Sequence, residues 1–172
     1  MVIQTLTNLI SADDLDRLFA DGIYEEDDRI ELIDGEILFM NPPGVRHVYF
    51  VNKLTRLIIE QIGKKAILSP QNPLRLNHYN QPQPDLALFA WKDHEYADVR
   101  PSPEDVILVI EIADCSLPMD IGRKALKYAQ AGLGEYWVFD LQKDCVHQYL
   151  EPAVNSFGKK QTYYANDKIS CE

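Results

Sequence analysis

The chain has 172 residues, 46% hydrophobic and 26% charged, with a formal net charge of −10 at pH 7. That length suits one domain able to bury a proper core, and no run approaches the ~18 apolar residues of a membrane span. The acidic balance argues against a passive nucleic-acid coat, which holds phosphates by bulk positive charge. It does not exclude a nuclease, whose metal-binding carboxylates add negative charge of their own. Met1, Val2, Ile3, Gln4 and Thr5 lack the basic start and long apolar core of a signal peptide. Cys115, Cys145 and Cys171 are an odd set without a CxxC spacing. They suit a reduced, cytoplasmic setting and argue against a disulfide framework and a zinc–thiolate site alike.

Ser11-Ala12-Asp13-Asp14 reads as a capping-box start for a short helix with Leu15, Leu18 and Phe19 on one face, stopped by Asp21-Gly22. Residues 29–33 and 36–40 flank Asp34-Gly35 and predict a hairpin with a two-residue turn. Asn41-Pro42-Pro43-Gly44 breaks it. Val48, Val51, Leu54, Leu57, Ile58 and Ile62 then recur at helical spacing up to Gly63. Strands are predicted over 65–69, 74–77, 85–90 and from Val106. A helix over 120–131 closes with Gly132, and further strands fall at 135–141, 145–150 and 161–165. The tally is a mixed sheet with a few helices packed on it, an α/β or α+β domain.

Glu111 stands in the most apolar run of the chain, Val106-Ile107-Leu108-Val109-Ile110-Glu111-Ile112-Ala113. Such a run reads as a buried central strand, where an unpaired charge costs several kcal/mol or is neutralised by a proton. Glu111 therefore calls for a cation, a hydrogen-bond network or a proton, unless it has already reached solvent or caps a helix. Pro84 delivers Asp85 at the entrance of its strand; alone, Asp85 reads equally as a turn or cap. On the helix from Asp120, the stripe of Ile121, Ala125, Tyr128 and Ala129 puts Lys124 at its edge, with Arg123 and Lys127 turned away. Lys124 can bury its stem and bring its ammonium to a carboxylate cluster; the plainer alternative is a pair with Asp120 four residues back. Glu31 and Glu36 share one hairpin face with Ile33 and Leu38, as site acids or as exposed hairpin acids. His47 opens the long helix, as a capping residue or at the border of a site. Two acids and one amine make a hard, oxygen-rich pocket that suits Mg²⁺ or Mn²⁺ rather than zinc.

These residues resemble the PD-(D/E)XK nucleases, and more narrowly the bacterial Uma-two family of restriction endonucleases, long a domain of unknown function. The likeness is carried by Arg29-Ile30-Glu31-Leu32-Ile33-Asp34-Gly35-Glu36, Pro42-Pro43-Gly44 with Arg46-His47, Gln83-Pro84-Asp85-Leu86 and Ile110-Glu111-Ile112-Ala113-Asp114. It continues from Asp120 through Tyr128 to Ala131-Gly132, and ends with Glu135-Tyr136-Trp137. The resemblance implies a single restriction-endonuclease-like domain over 1–172, short of the family's C-terminal tail, with a mixed central β-sheet flanked by helices. It implies Mg²⁺- or Mn²⁺-dependent hydrolysis of DNA phosphodiesters, with Asp85 and Glu111 holding the metal, Lys124 as catalytic lysine and Glu31 as an additional acid. Glu36 and His47 match family positions without a settled role. The superfamily's lysine usually stands two residues after the glutamate; here Ala113 occupies that place, so the amine must come from the next helix. A symmetric homodimer follows by analogy, and no membrane association is expected. Two other readings stay open: a nuclease-fold binding or regulatory module of weak or no activity, and a metal-dependent hydrolase of small phosphoesters. Substitution of Glu111 or Lys124 by alanine is expected to abolish cleavage and leave the fold intact. Arg46, Lys53, Arg56, Arg75 and Arg123 are the basic residues that would rim a DNA groove.

Overall fold

A computed structural model describes residues 9–25 and 27–171; the stretch 1–5, read above for a targeting signal, lies outside them. Helix α1 (Ala12–Ala20) starts as expected. The Ser11 hydroxyl accepts the Asp14 N–H at 3.0 Å and the Asp14 carboxylate accepts the Ser11 N–H at 3.1 Å. Strands β1 (Ile30–Ile33) and β2 (Glu36–Phe39) pair antiparallel, Ile33 opposite Glu36 and Glu31 opposite Leu38. The turn places Asp34 and Gly35 at φ 54° and 73°, the left-handed pair that matches strand twist. Ala12, Leu15, Ile30 and Leu32 give α1 and this hairpin a small apolar cluster of their own.

The main sheet has six strands in sequential order: β3 (Ala66–Pro70), β4 (Leu86–Ala90), β5 (Val106–Ala113), β6 (Glu135–Asp140), β7 (Cys145–Pro152) and β8 (Phe157–Tyr164). All neighbours are antiparallel except β5 and β6, which run parallel. A parallel pair needs a crossover, and the helical segment after β5 supplies it. β5 is buried on both faces, as its unbroken apolar run required. Leu108, Ile110 and Ile112 face helix α2 (Val45–Ile62), which contributes Val51 with Phe50, Leu54, Ile58 and Ile62 at the margin. Val109 and Ala113 face Ala125, Tyr128, Tyr136 and Val138 on the other side. Val48, placed in the apolar stripe of α2 by its spacing, is exposed.

Three expectations need correction. Residues 74–77 form no strand. Leu74 and Leu76 are buried, but their N–H groups donate within the loop to Pro82 and Asn80, and Gln81 bridges to Leu32 of the hairpin. Pro73, Pro82 and Pro84 lack the N–H that a ladder needs. The last strand begins at Phe157 rather than 161; as an edge strand with an alternating half-exposed pattern it carries little apolar signal. The crossover helix begins earlier than 120 and is not uniform. It consists of α3 (Leu117–Met119), a π-helical turn (Asp120–Lys124) and α4 (Ala125–Gln130).

At Gly35 a Cβ would lie 2.7 Å from Leu9 Cβ, on a backbone of positive φ. Gly35→Ala is expected to lower stability by about 1–3 kcal/mol, read as a shifted urea midpoint with an unchanged slope.

Candidate active site

The π turn sets up the site. An α-helix advances ~100° per residue, and that spacing placed Ile121 in the buried stripe. The wider π turn instead leaves Ile121 exposed and turns both Asp120 and Lys124 inward, to 2% and 5% exposure. Such turns recur at functional sites because they re-aim side chains. Arg123 and Lys127 point to the hairpin's outer side. Arg123 bonds Asp34, Glu36 and the Ile33 carbonyl, and Lys127 pairs with Asp34. Glu36 is thereby a half-exposed partner of Arg123, while Glu31, on the same hairpin face, is buried.

Lys124 Nζ lies 2.7 Å from Glu31 Oε1, 3.0 Å from Glu111 Oε1 and 3.7 Å from Asp120 Oδ1. The hairpin, the central strand and the crossover helix thus each bring one acid to one amine. The carboxylates are held by further donors. Gln83 N–H donates to Glu31 Oε1 at 2.9 Å, and the buried Tyr128 hydroxyl donates to Glu111 Oε1 at 2.9 Å. Ser116 Oγ–H donates to Asp120 Oδ2. Glu111 Oε2 receives only a long bond, 3.4 Å, from the Asp85 N–H. Asp85 stands at the start of β4 beside β5; its Oδ2 accepts the Ile112 N–H at 2.8 Å. Its Oδ1 lies 2.9 Å from His47 Nε2.

His47 is built into the site from the first turn of α2. Its Nδ1 lies 2.9 Å from the Ile112 carbonyl, which can only accept, so Nδ1 carries a proton. Nε2 is buried beside Asp85 without a well-formed hydrogen bond. At 2.9 Å a neutral nitrogen would set its lone pair against a carboxylate. The contact therefore requires a second ring proton or a cation between the two. The Asp85 carboxylate correspondingly raises the His47 pKa above its ordinary value.

Electrostatically the cluster holds more acids than bases. Burial, reinforced by Asp120, Asp85 and Glu31, pushes Glu111 well above the usual carboxylate range, against the pull of Lys124. Burial likewise raises Asp120 to about 6. For Lys124, burial favours the neutral amine, but Glu111, Glu31 and Asp120 together outweigh it and hold the ammonium charged. Tyr128, buried beside Glu111, stays a neutral donor with its pKa raised.

These groups open on a cleft of about 360 Å³, lined in addition by Arg29, Asn41, Pro42, Pro43, Gly44 and Asp114. Glu31, Asp85, Glu111, Lys124 and His47 therefore come together as the sequence placed them. By sequence alone Asp120 is a pairing partner of Lys124 and Tyr128 a core residue; their spacing of i−4 and i+4 from Lys124 is the signal that could have placed them in the site. The basic rim does not assemble. Arg75 pairs with Asp13 and Asp16, Arg46 with Asp144, and Arg123 with the hairpin acids. Among the described residues lining the cleft only Arg29 and Lys124 are Lys or Arg.

A mixed sheet that carries such a cleft at the ends of β4 and β5, between hairpin and crossover helix, has the restriction-endonuclease-like fold. The chain belongs to the Uma2 family, described as "Putative restriction endonuclease", which it matches over residues 12–171. Among solved structures it is similar to a putative nuclease belonging to DUF820 from Anabaena variabilis ATCC 29413. The TM-score is 0.75 at 17% identity, covering 94% of this chain and 88% of that one. At that identity the likeness speaks for the fold alone. No curated protein matches the chain.

The geometry revises one expectation. Removing Lys124 strands Glu31, Glu111 and Asp120 in the interior, so the fold itself is at stake. In metal-free protein at pH 8, Lys124→Met is expected to lose about 3–5 kcal/mol, with a smaller loss near pH 5 as Glu111 and Asp120 protonate. Asp120 works in the opposite sense. Its folded pKa lies above the ordinary 3.8, so its favourable contribution is complete below about 3.8 and is lost as pH rises through about 6. Asp120→Asn is expected to stabilise the protein at pH 8, by up to about 3 kcal/mol, and to give no gain near pH 4. Thermal melts across that range read both effects.

Proposed function

We propose that the protein is a divalent-metal-dependent endonuclease of the PD-(D/E)XK type that hydrolyses DNA phosphodiester bonds. The observation that carries this reading is the charge imbalance of the cleft. Four buried carboxylates, Glu31, Asp85, Glu111 and Asp120, face one ammonium and one imidazole. Such an excess calls for a cation or for protons.

The residues present fit a hard dication. Glu111 Oε2 accepts a long bond from the Asp85 N–H, Asp85 Oδ1 meets the Gln71 amide at 3.5 Å and His47 Nε2 at 2.9 Å, and that buried nitrogen lacks a well-formed hydrogen bond. Asp85 and Glu111 would hold Mg²⁺ or Mn²⁺, which when bound polarises a phosphoryl oxygen and lowers the pKa of a coordinated water. The remaining work falls to side chains. Lys124, fixed by Glu31 and Glu111, presents permanent positive charge toward an oxygen that gains negative charge in the transition state. Glu31 acts through Lys124 and is a positioning residue, itself anchored by the Gln83 N–H. Tyr128 occupies Glu111 Oε1 and so directs the other oxygen to the cleft. His47, tied to the Ile112 carbonyl, orients Asp85.

Plasmid DNA is expected to be nicked in the presence of Mg²⁺ or Mn²⁺ and spared with chelator. Asp85→Asn and Glu111→Gln, which keep side-chain shape, are expected to lower the rate on the order of a thousandfold. Metal-dependent cutting by Glu111→Gln at the wild-type rate would exclude this mechanism. Undiminished turnover of a small phosphodiester with no cutting of DNA would move the assignment to a small-substrate hydrolase.

A further inference from the structure

A second cluster of ligating side chains lies outside the cleft, on the β6–β7 hairpin. Asp140 ends β6 and is paired across the hairpin with Cys145, which opens β7; His147 follows two residues on and so shares Cys145's face. The register brings one oxygen, one sulfur and one nitrogen ligand atom within 4.8 Å of one another. Cys145 Sγ and Asp140 Oδ2 each lie 3.9 Å from His147 Nε2. We propose that Asp140, Cys145 and His147 form a transition-metal site, for Zn²⁺ or an ion of similar softness, independent of the cleft.

The independent observation is Asp140. It is 1% exposed, and its Oδ2 has no hydrogen-bond partner among the described residues. Its other oxygen is satisfied, accepting the N–H groups of Gln142 at 3.0 Å and Lys143 at 3.1 Å. A buried carboxylate oxygen left bare costs free energy, and a proton on it would only replace a missing donor with a missing acceptor. His147 does not repay the debt, because 3.9 Å is too long for a hydrogen bond.

A neutral imidazole is the form that ligates. His147 Nδ1 lies 3.0 Å from Thr162 Oγ1 on β8; with Nδ1–H donating to that hydroxyl, the Nε2 lone pair faces Cys145 and Asp140. Metal-binding histidines are commonly oriented in this way. Tetrahedral Zn²⁺ with ordinary Zn–S and Zn–N lengths sets sulfur and nitrogen about 3.5 Å apart, so a contraction of a few tenths of an ångström brings Cys145 Sγ and His147 Nε2 to that spacing. Binding would release the Cys145 thiol proton to solvent and leave the thiolate as ligand. Cysteine–cysteine spacing speaks only against a site built from several thiolates. The hairpin pairs Cys145 with an aspartate and a histidine instead.

The test uses the full chain, stripped by chelator and titrated with Co²⁺ under excess Mg²⁺, so that all-oxygen sites are occupied. One equivalent is expected to produce a thiolate-to-Co²⁺ charge-transfer band in the near ultraviolet, bleached by Zn²⁺. Cys145→Ser should abolish the band, and Asp140→Asn and His147→Gln should weaken binding on the order of a hundredfold or more. Thr162→Val, which leaves the ligands in place, should weaken it on the order of tenfold. Cys115→Ser and Cys171→Ser should bind as wild type. No charge-transfer band in the wild-type chain, a band that survives Cys145→Ser, or one lost in Cys115→Ser would each overturn the proposal. Should Cys145→Ser fail to fold, the wild-type titration and Thr162→Val still decide it.

Discussion

The buried ammonium of Lys124 is the constraint on which the architecture depends. A lysine at 5% exposure is stable only if its desolvation is offset, and three acids from three different elements offset it. The arrangement is reciprocal, since none of those acids would remain buried as an anion without the amine. The hairpin of β1 and β2 has a small apolar cluster separate from the two that pack against the main sheet. Many of its ties to the rest of the molecule are polar: Glu31 to Lys124 and Gln83, Asp34 and Glu36 to Arg123, Asp34 to Lys127, and Leu32 to Gln81. Lys124 and Glu31 are the charged members of that set withdrawn from solvent, so theirs is its least screened ion pair.

The π turn explains how one helix serves two purposes. Positions 123 and 127 reach the hairpin's outer acids, while 120, 124 and 128 reach the interior ones. A regular α-helix keeps 120, 124 and 128 on one face but also brings 121 round with 125 and 128. The wider turn releases Ile121 to solvent and makes room for two charged side chains where an apolar stripe would close the cleft. An amine on the helix can thus replace one on the strand, where Ala113 packs into the core instead.

Most of this was legible because it rests on local rules. The capping box at Ser11, the Asp34-Gly35 turn and the uninterrupted apolar run around Glu111 each point to one local structure. Burial of Glu111 in turn demanded a partner, and the edge position of Lys124 supplied it. What the sequence hid depends on contacts between distant segments. Leu74 and Leu76 are apolar enough for a strand, but only the fold shows that the prolines nearby direct them into a loop latched to the hairpin. The π turn follows no 3.6-residue periodicity, so Asp120 could be seen as a neighbour of Lys124 but not as a buried one. Asp140, Cys145 and His147 are close in sequence, yet only strand pairing shows that they share a face and that one carboxylate oxygen there is bare.

The net charge of −10 bears on how a polyanion could be accommodated at all. Three of the arginines that would rim a groove are tied to surface acids, and among the described residues lining the cleft Arg29 is the one Lys or Arg besides Lys124. A phosphodiester entering between Asp85 and Glu111 would meet net repulsion, which the low dielectric of a buried cluster strengthens. On the proposed reading that repulsion gives selectivity. The cleft is unfavourable to phosphate until its excess negative charge is neutralised, so substrate affinity and metal occupancy are coupled through one local charge balance. The coupling is reciprocal by thermodynamic necessity. An acidic protein can in this way engage DNA at one point without the basic surface that nonspecific binding requires, at the expense of tight binding elsewhere along the duplex.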